Sequence, residues 1–334
     1  MNNLTLTQKI HQMFILGYEG PNPLSDENSG FIEALKNGLG GVIFFTKNIT
    51  DRAAFKKSVL QIKENALIKP FLSIDQEGGR VERTLNLYKG PHYLCARESA
   101  RKGEKFVEEQ TRNIAFELQS FGLNMNFAPV LDVDTNPDNP IIAERAFSSN
   151  ADDVTRFGKI AAETYLQNGI LPVGKHFPGH GDTSVDSHKA MPEVNLSFDE
   201  LEKTHIKPFN DLLDIVPALM VAHVHYTAFD AQKIPASVSN NVINQYLRKK
   251  LGYKGLIISD DMVMGGIKGF TSFEACVKGI NAGINMFIFR NSDKQTLELI
   301  KQLETAAEKG VINLENIDKS VALIAGVKNK VKCF

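Results

Sequence analysis

Eight short apolar segments recur along this chain with longer amphipathic stretches between them, and this alternation constrains the fold more than any other feature. The segments are QMFILG (12–17), GVIFF (41–45), PFLSID (70–75), NMNFAP (124–129), LPVGKH (171–176), ALMVAH (218–223), GLIISD (255–260) and MFIFR (286–290). Between them lie 51–67, 99–121, 151–168, 198–214, 240–251 and 293–308, which read as helices. Strands alternating with helices predict βαβ units and a parallel sheet. A count of eight predicts an α/β fold of the (β/α)8 TIM-barrel type. Its rival, a doubly wound open sheet, lacks a GxGxxG after an early strand. No Pro/Ser-rich linker or charge run marks a boundary. Residues 1–334 therefore read as one domain, with 315–332 as a closing helix.

Composition narrows the function classes. Hydrophobic residues make up 43% and charged residues 23%, an ordinary globular balance. Lys plus Arg total 38 against 39 Asp plus Glu, without the basic surplus of a nucleic-acid-binding protein. Cys95, Cys276 and Cys333 fit neither a disulfide framework nor a CxxC metal site, which suits a reducing compartment. The opening MNNLTLTQKIHQMF lacks the features of a signal peptide, and no apolar run reaches the length of a membrane span. The expectation is a soluble, cytoplasmic protein without nucleic-acid or membrane partners.

Three connections are longer than the rest and follow Asp75, Phe127 and His176. In a barrel, the loops at the strands' C-terminal ends build the active site. Polar residues crowd there: DQEGGRVER, DVDTNPDNPIIAER, KHFPGHGDTSVDSH, HVHY, SDD and RNSD. That convergence predicts an enzyme.

Within SDD, Asp260 and Asp261 cannot both face the barrel axis if the strand runs regularly through them. One carboxylate would sit at the barrel mouth, the other would pair nearby or cap a helix. KHFPGHGDTSVDSH holds Lys175, His176, His180, Asp182, Asp186 and His188. Asp186 and His188 are two apart, so an extended loop puts them on one side. A carboxylate beside an imidazole fixes its tautomer and makes a general acid/base unit. His and Asp at such spacings could instead bind zinc or iron, though no HExxH pattern is present. Lys175 could serve as a Schiff-base lysine or as a clamp for hydroxyls or an anion. Asp75, Arg80, Arg83 and Arg145 add donors and acceptors suited to a polyhydroxylated ligand, although singly each suits a surface ion pair.

KHFPGHGDTSVDSH, IDQEGGRVER and the late SDDM together resemble the bacterial β-N-acetylglucosaminidases of glycoside hydrolase family 3, in their single-domain, NagZ-type branch. The order of motifs matches from the first strand to about residue 290. The resemblance implies that Asp260 is the nucleophile, His188 the acid/base and Asp186 its dyad partner. It implies that Asp75, Arg83, Arg145, Lys175 and His176 hold a terminal N-acetylglucosamine, and that loop 177–190 closes over the sugar. One departure is NPIIAERAF, with Ala143 and Glu144 where a Gly and another polar residue are more usual.

The activity so implied is retaining exo-hydrolysis of muropeptides or chito-oligosaccharides, with peptidoglycan recycling as its setting. The implied partner is a small saccharide, the implied state of the protein is a monomer, and no cofactor or metal is implied. A β-N-acetylglucosaminide phosphorylase and a β-glucosidase are alternatives on the same site. Outside that class stands an aldolase built on Lys175.

Overall fold

The computed structural model describes residues 4–88, 90–184, 191–267 and 269–330. Eight strands close into a barrel. They are β1 (Phe14–Leu16), β2 (Gly41–Phe44), β3 (Phe71–Ile74), β4 (Met125–Asn126), β5 (Leu171–Phe177), β6 (Ala218–Val221), β7 (Leu256–Asp261) and β8 (Met286–Phe289). Every neighbouring pair is parallel, and β8 returns to β1 with Phe14 opposite Phe287 and Leu16 opposite Phe289. All eight apolar segments read from the sequence are barrel strands.

Strand residues are buried on both faces because the barrel interior is filled by side chains and the helices cover the outside. The helical readings hold in outline, with shifted bounds: Arg52–Asn65, Glu104–Ser120, Ala151–Gln167, Lys294–Glu308 and Leu314–Lys330. Asp51, Asn150 and Asp293 start three of these helices by accepting backbone N–H groups on their side chains. Segment 198–214 is broken into short turns of α- and π-helix, and Asn241–Lys250 is wound as π-helix. The helices Leu6–Gln12, Ser29–Lys36 and Ser272–Ala282 were not anticipated; all three are short.

Two additions decorate the C-terminal rim. Gln76–Gly78 and Val81–Glu82 form an antiparallel hairpin directly after β3. A Cβ at Gly78, whose φ is +98°, would fall 2.3 Å from the Leu94 carbonyl oxygen, so the turn requires glycine. Glu193–Val194 pairs with His225–Tyr226 across the loops after β5 and β6. No described helix is long and apolar enough to cross a membrane. Cys95 and Cys276 are free and buried.

Candidate active site

The C-terminal ends of the strands surround a cavity of about 200 Å³. Asp75, Lys175, His176 and Asp260 reach it from β3, β5 and β7, while Glu77, Arg83 and Arg145 reach it from the loops. Its apolar wall includes Phe45, Met220 and Met264.

Buried charges meet on one side. Lys175, whose side chain is 2% exposed, donates from Nζ to Asp75 Oδ1 at 2.8 Å and lies 2.6 Å from Glu77 Oε1. Arg145 donates to Glu77 from Nε at 2.9 Å and from Nη2 at 2.8 Å. Arg83 Nη2 donates to Asp75 Oδ2 at 3.3 Å. Burial alone would raise the pKa of Asp75, but Lys175 and Arg83 outweigh it and hold the carboxyl below its ordinary range. Burial is likewise outweighed at Glu77 by Arg145 and Lys175, and Glu77 lies well below the ordinary range. The sequence reading missed Glu77. A signal was present, because alternation along an extended segment puts Asp75 and Glu77 on one side.

A second group lies beneath the histidines. Asp132 is fully buried and accepts from His176 Nδ1 at 2.7 Å and from the His180 backbone N–H at 2.7 Å. The His176 backbone N–H also donates to it, at 3.1 Å. With Nδ1 engaged by a carboxylate, the ring of His176 is held in one orientation. His180 is buried, and burial together with neighbouring His176 brings its pKa down to about 4, so it is neutral near pH 7. Asp132 also escaped the sequence reading, since its partners lie more than forty residues away in the chain.

Asp260 differs from these carboxylates. Its Oδ1 accepts the Asp261 backbone N–H at 2.7 Å. Among the described residues, no Lys or Arg lies within ion-pair distance of it, whereas Asp75, Glu77 and Asp261 are each paired with Lys or Arg. Burial would raise its pKa, but His176, His223, the Asp261 N–H and Lys175 together bring it below the ordinary carboxylate value. It is therefore an ionised carboxylate that lines the cavity and, among the described residues, stands outside any ion pair.

Asp260 and Asp261 both line the cavity, contrary to the alternation expected of a regular strand. The β7–β8 ladder shifts register between Ile258 and Asp261, which breaks the period of two. As expected of the second carboxylate, Asp261 pairs nearby: Arg290 Nε donates to it, and the Val263 N–H donates to Oδ1 at 3.1 Å.

An anionic carboxylate at the mouth of a (β/α)8 barrel, ringed by buried polar clamps, is an arrangement that can be compared with known proteins. Residues 5–327 match the family model described as the glycosyl hydrolase family 3 N terminal domain. The chain belongs to glycosyl hydrolase family 3.

Among its curated relatives, Beta-hexosaminidase A of Pseudoalteromonas piscicida is 33% identical over 328 residues, covering 88% of this chain and 54% of that protein. The Beta-hexosaminidase of Tolumonas auensis is 33% identical over 270 residues, covering 80% of each. A solved glycoside hydrolase family 3 β-N-acetylglucosaminidase from Paenibacillus sp. str. FPU-7 superposes with a TM-score of 0.92 at 33% identity, over 99% of this chain and 63% of that one. The chain thus spans little more than half of one curated relative and four-fifths of another.

Of the residues singled out from the sequence, Asp75, Arg83, Arg145, Lys175, His176 and Asp260 converge on the cavity. Arg80 does not line it; its guanidinium donates to the Pro140 and Ile141 carbonyls and pairs with Glu144. Asp182 lies apart from it, near Thr135. Asp186 and His188 lie outside the described residues. Among the described residues, no group of three or more His, Cys, Asp or Glu is arranged to hold a metal ion. Lys175 is engaged by two carboxylates, Asp75 and Glu77, on the binding side of the cavity.

Proposed function

We propose that this chain is a retaining exo-β-N-acetylglucosaminidase acting by double displacement. Asp260 attacks the anomeric carbon, forming a glycosyl ester as the bond to the leaving oxygen breaks. His188, oriented by Asp186, gives that oxygen its proton. His188 then takes a proton from water, whose oxygen displaces Asp260 and restores the β configuration. Asp75, Arg83, Arg145, Lys175 and His176 hold the sugar by donors and acceptors matched to its hydroxyl and acetamido groups.

The single observation that carries this reading is the state of Asp260. Its pocket neighbours Asp75, Glu77 and Asp261 are held in ion pairs, whereas Asp260 lines the cavity outside any ion pair among the described residues, and His176, His223 and Lys175 favour its anion. A nucleophile needs both properties. The volume of about 200 Å³ suits one sugar ring better than a long chain, which supports exo action. The names of the curated relatives favour a β-hexosaminide and the name of the Paenibacillus enzyme an N-acetylglucosaminide, and we extend this to muropeptide-like and chitin-like saccharides as substrates in peptidoglycan recycling in the cytoplasm.

The test is release of a chromogenic β-N-acetylglucosaminide in phosphate-free buffer, beside the matching β-glucoside. Turnover of the N-acetyl substrate alone supports the reading. Turnover only when phosphate is added, with sugar 1-phosphate as product, would make the chain a phosphorylase. Comparable turnover of the glucoside would remove the acetamido selectivity.

A further inference from the structure

The stem that leads from β5 toward Asp186 and His188 is bonded along its described length to the loop after β4. Asn136 donates from its backbone N–H to the Gly181 carbonyl at 3.3 Å, and from Nδ2 to the Asp182 carbonyl at 3.2 Å. The approach is close enough that a Cβ at Gly181 would fall 1.7 Å from the Val133 carbonyl oxygen.

Asn139 lies at the centre of this interlock and is 3% exposed. Its Nδ2 donates to the His180 carbonyl at 2.9 Å and to Thr183 Oγ1 at 3.2 Å. Its Oδ1 accepts from the N–H groups of Ile141 at 2.9 Å and Ile142 at 2.8 Å. A primary amide offers two donor hydrogens and two acceptor lone pairs, so every valence of this side chain is in use. The donor half holds the stem. The acceptor half holds the turn that carries Arg145, whose N–H donates to the Ile142 carbonyl at 2.8 Å and whose Nη1 donates to the Ile141 carbonyl at 3.1 Å.

We propose that Asn139 is a positioning residue for acid catalysis, its side-chain amide setting the stem that leads to the acid/base residues in register with the turn that carries Arg145. The proposal rests on the reading of His188 as acid/base given above. Thr183 precedes Asp186 by three residues and His188 by five, so little chain separates the anchor from the proton donor. Displacing a catalytic group by about 1 Å can cost about 100-fold in rate.

A positioning role and a plain structural role differ in which substrates suffer. A leaving group that is a weak base departs without protonation, whereas a strongly basic one needs the acid. The experiment compares kcat/KM of the intact chain, Asn139→Ala and Thr183→Val on two aryl β-N-acetylglucosaminides, the 2,4-dinitrophenyl and the 4-methoxyphenyl. Asn139→Ala is expected to lose about 100-fold on the methoxyphenyl substrate and less than about fivefold on the dinitrophenyl one, since a general acid contributes at least that much. Thr183→Val removes one acceptor of the Asn139 amide while keeping side-chain shape, and shows the same selectivity in weaker form. If Asn139→Ala does not fold, Asn139→Asp, which keeps the acceptor and loses the donors, takes its place. Equal losses on both substrates overturn the proposal. An intact chain inactive on both overturns it together with the reading on which it rests.

Discussion

Glu77 grips Arg145 at two points, with Nε 2.9 Å from one carboxylate oxygen and Nη2 2.8 Å from the other, in a pair whose side chains are 5% and 11% exposed. Such a fork fixes the plane of the guanidinium as well as its position. Glu77 also neutralises Lys175, so one carboxylate orients two groups of the site.

Glu77→Gln should therefore harm stability and turnover together. It keeps the shape but leaves two buried cations short of a partner. Breaking a buried pair from one side costs about 3 kcal/mol or more, and urea unfolding should read a loss of that order. Hydrolysis should show a raised KM as well, because Arg145 and Lys175 lose their common anchor. An unchanged unfolding midpoint would mean that the pair does not hold the site together.

Stability should fall on the acid side of neutrality, in two stages. Burial pushes His11, His180, His205 and His223 below the ordinary value of 6.5, His180 to about 4. The unfolded chain then binds the proton more readily, so their contribution is present above pH 6.5 and is lost as pH falls from there. Each can contribute a slope of at most about 1.4 kcal/mol per pH unit. Asp75, Glu77, Asp132 and Asp260 also have lowered values, so their contribution is present above pH 3.8 to 4.5 and disappears below. Asp261 and Glu82 are raised by burial and act with the opposite sign, offsetting part of the slope. Urea unfolding at a series of pH values should show stability declining between pH 6.5 and 5 and more steeply below 4.5. A flat profile from pH 7 to 4 would contradict this balance.

Ala143→Gly should stabilise the protein. Ala143 has φ of +42°, a left-handed conformation that costs a residue bearing Cβ about 1–2 kcal/mol. Glycine removes that strain but gives the unfolded chain more freedom, worth about 0.4–1 kcal/mol, so the net gain is at most about 1.5 kcal/mol. Thermal unfolding reads it directly. Ala143→Val should move the midpoint the other way, because a branched side chain tolerates this conformation less.

The backbone plan was legible because a barrel strand must be apolar on both faces, and such runs stand out between amphipathic helices. Leu256–Asp261 is an instance: GLIISD marks both the strand and the polar end that reaches the cavity. Short helices such as Ser29–Lys36 span too few turns to display a helical period. At the site, residues that end strands were found, whereas residues that work through partners were not. Asp132 and Asn139 sit in DVDTNPDNPIIAER, a loop already marked as functional, but their roles come from hydrogen bonds to the β5 loop some forty residues later. The shared cavity position of Asp260 and Asp261 depends on a ladder irregularity that the pattern of residue types does not encode.

The central claim is that Asp260 is the nucleophile. A fluorinated N-acetylglucosaminyl donor with a good leaving group would form the glycosyl ester faster than water removes it. Proteolysis and mass spectrometry would then locate the sugar. The account predicts one N-acetylglucosaminyl adduct, on the peptide containing Asp260, and none in Asp260→Ala. An adduct on another carboxylate, or release of the α-configured sugar with no adduct at all, would contradict it.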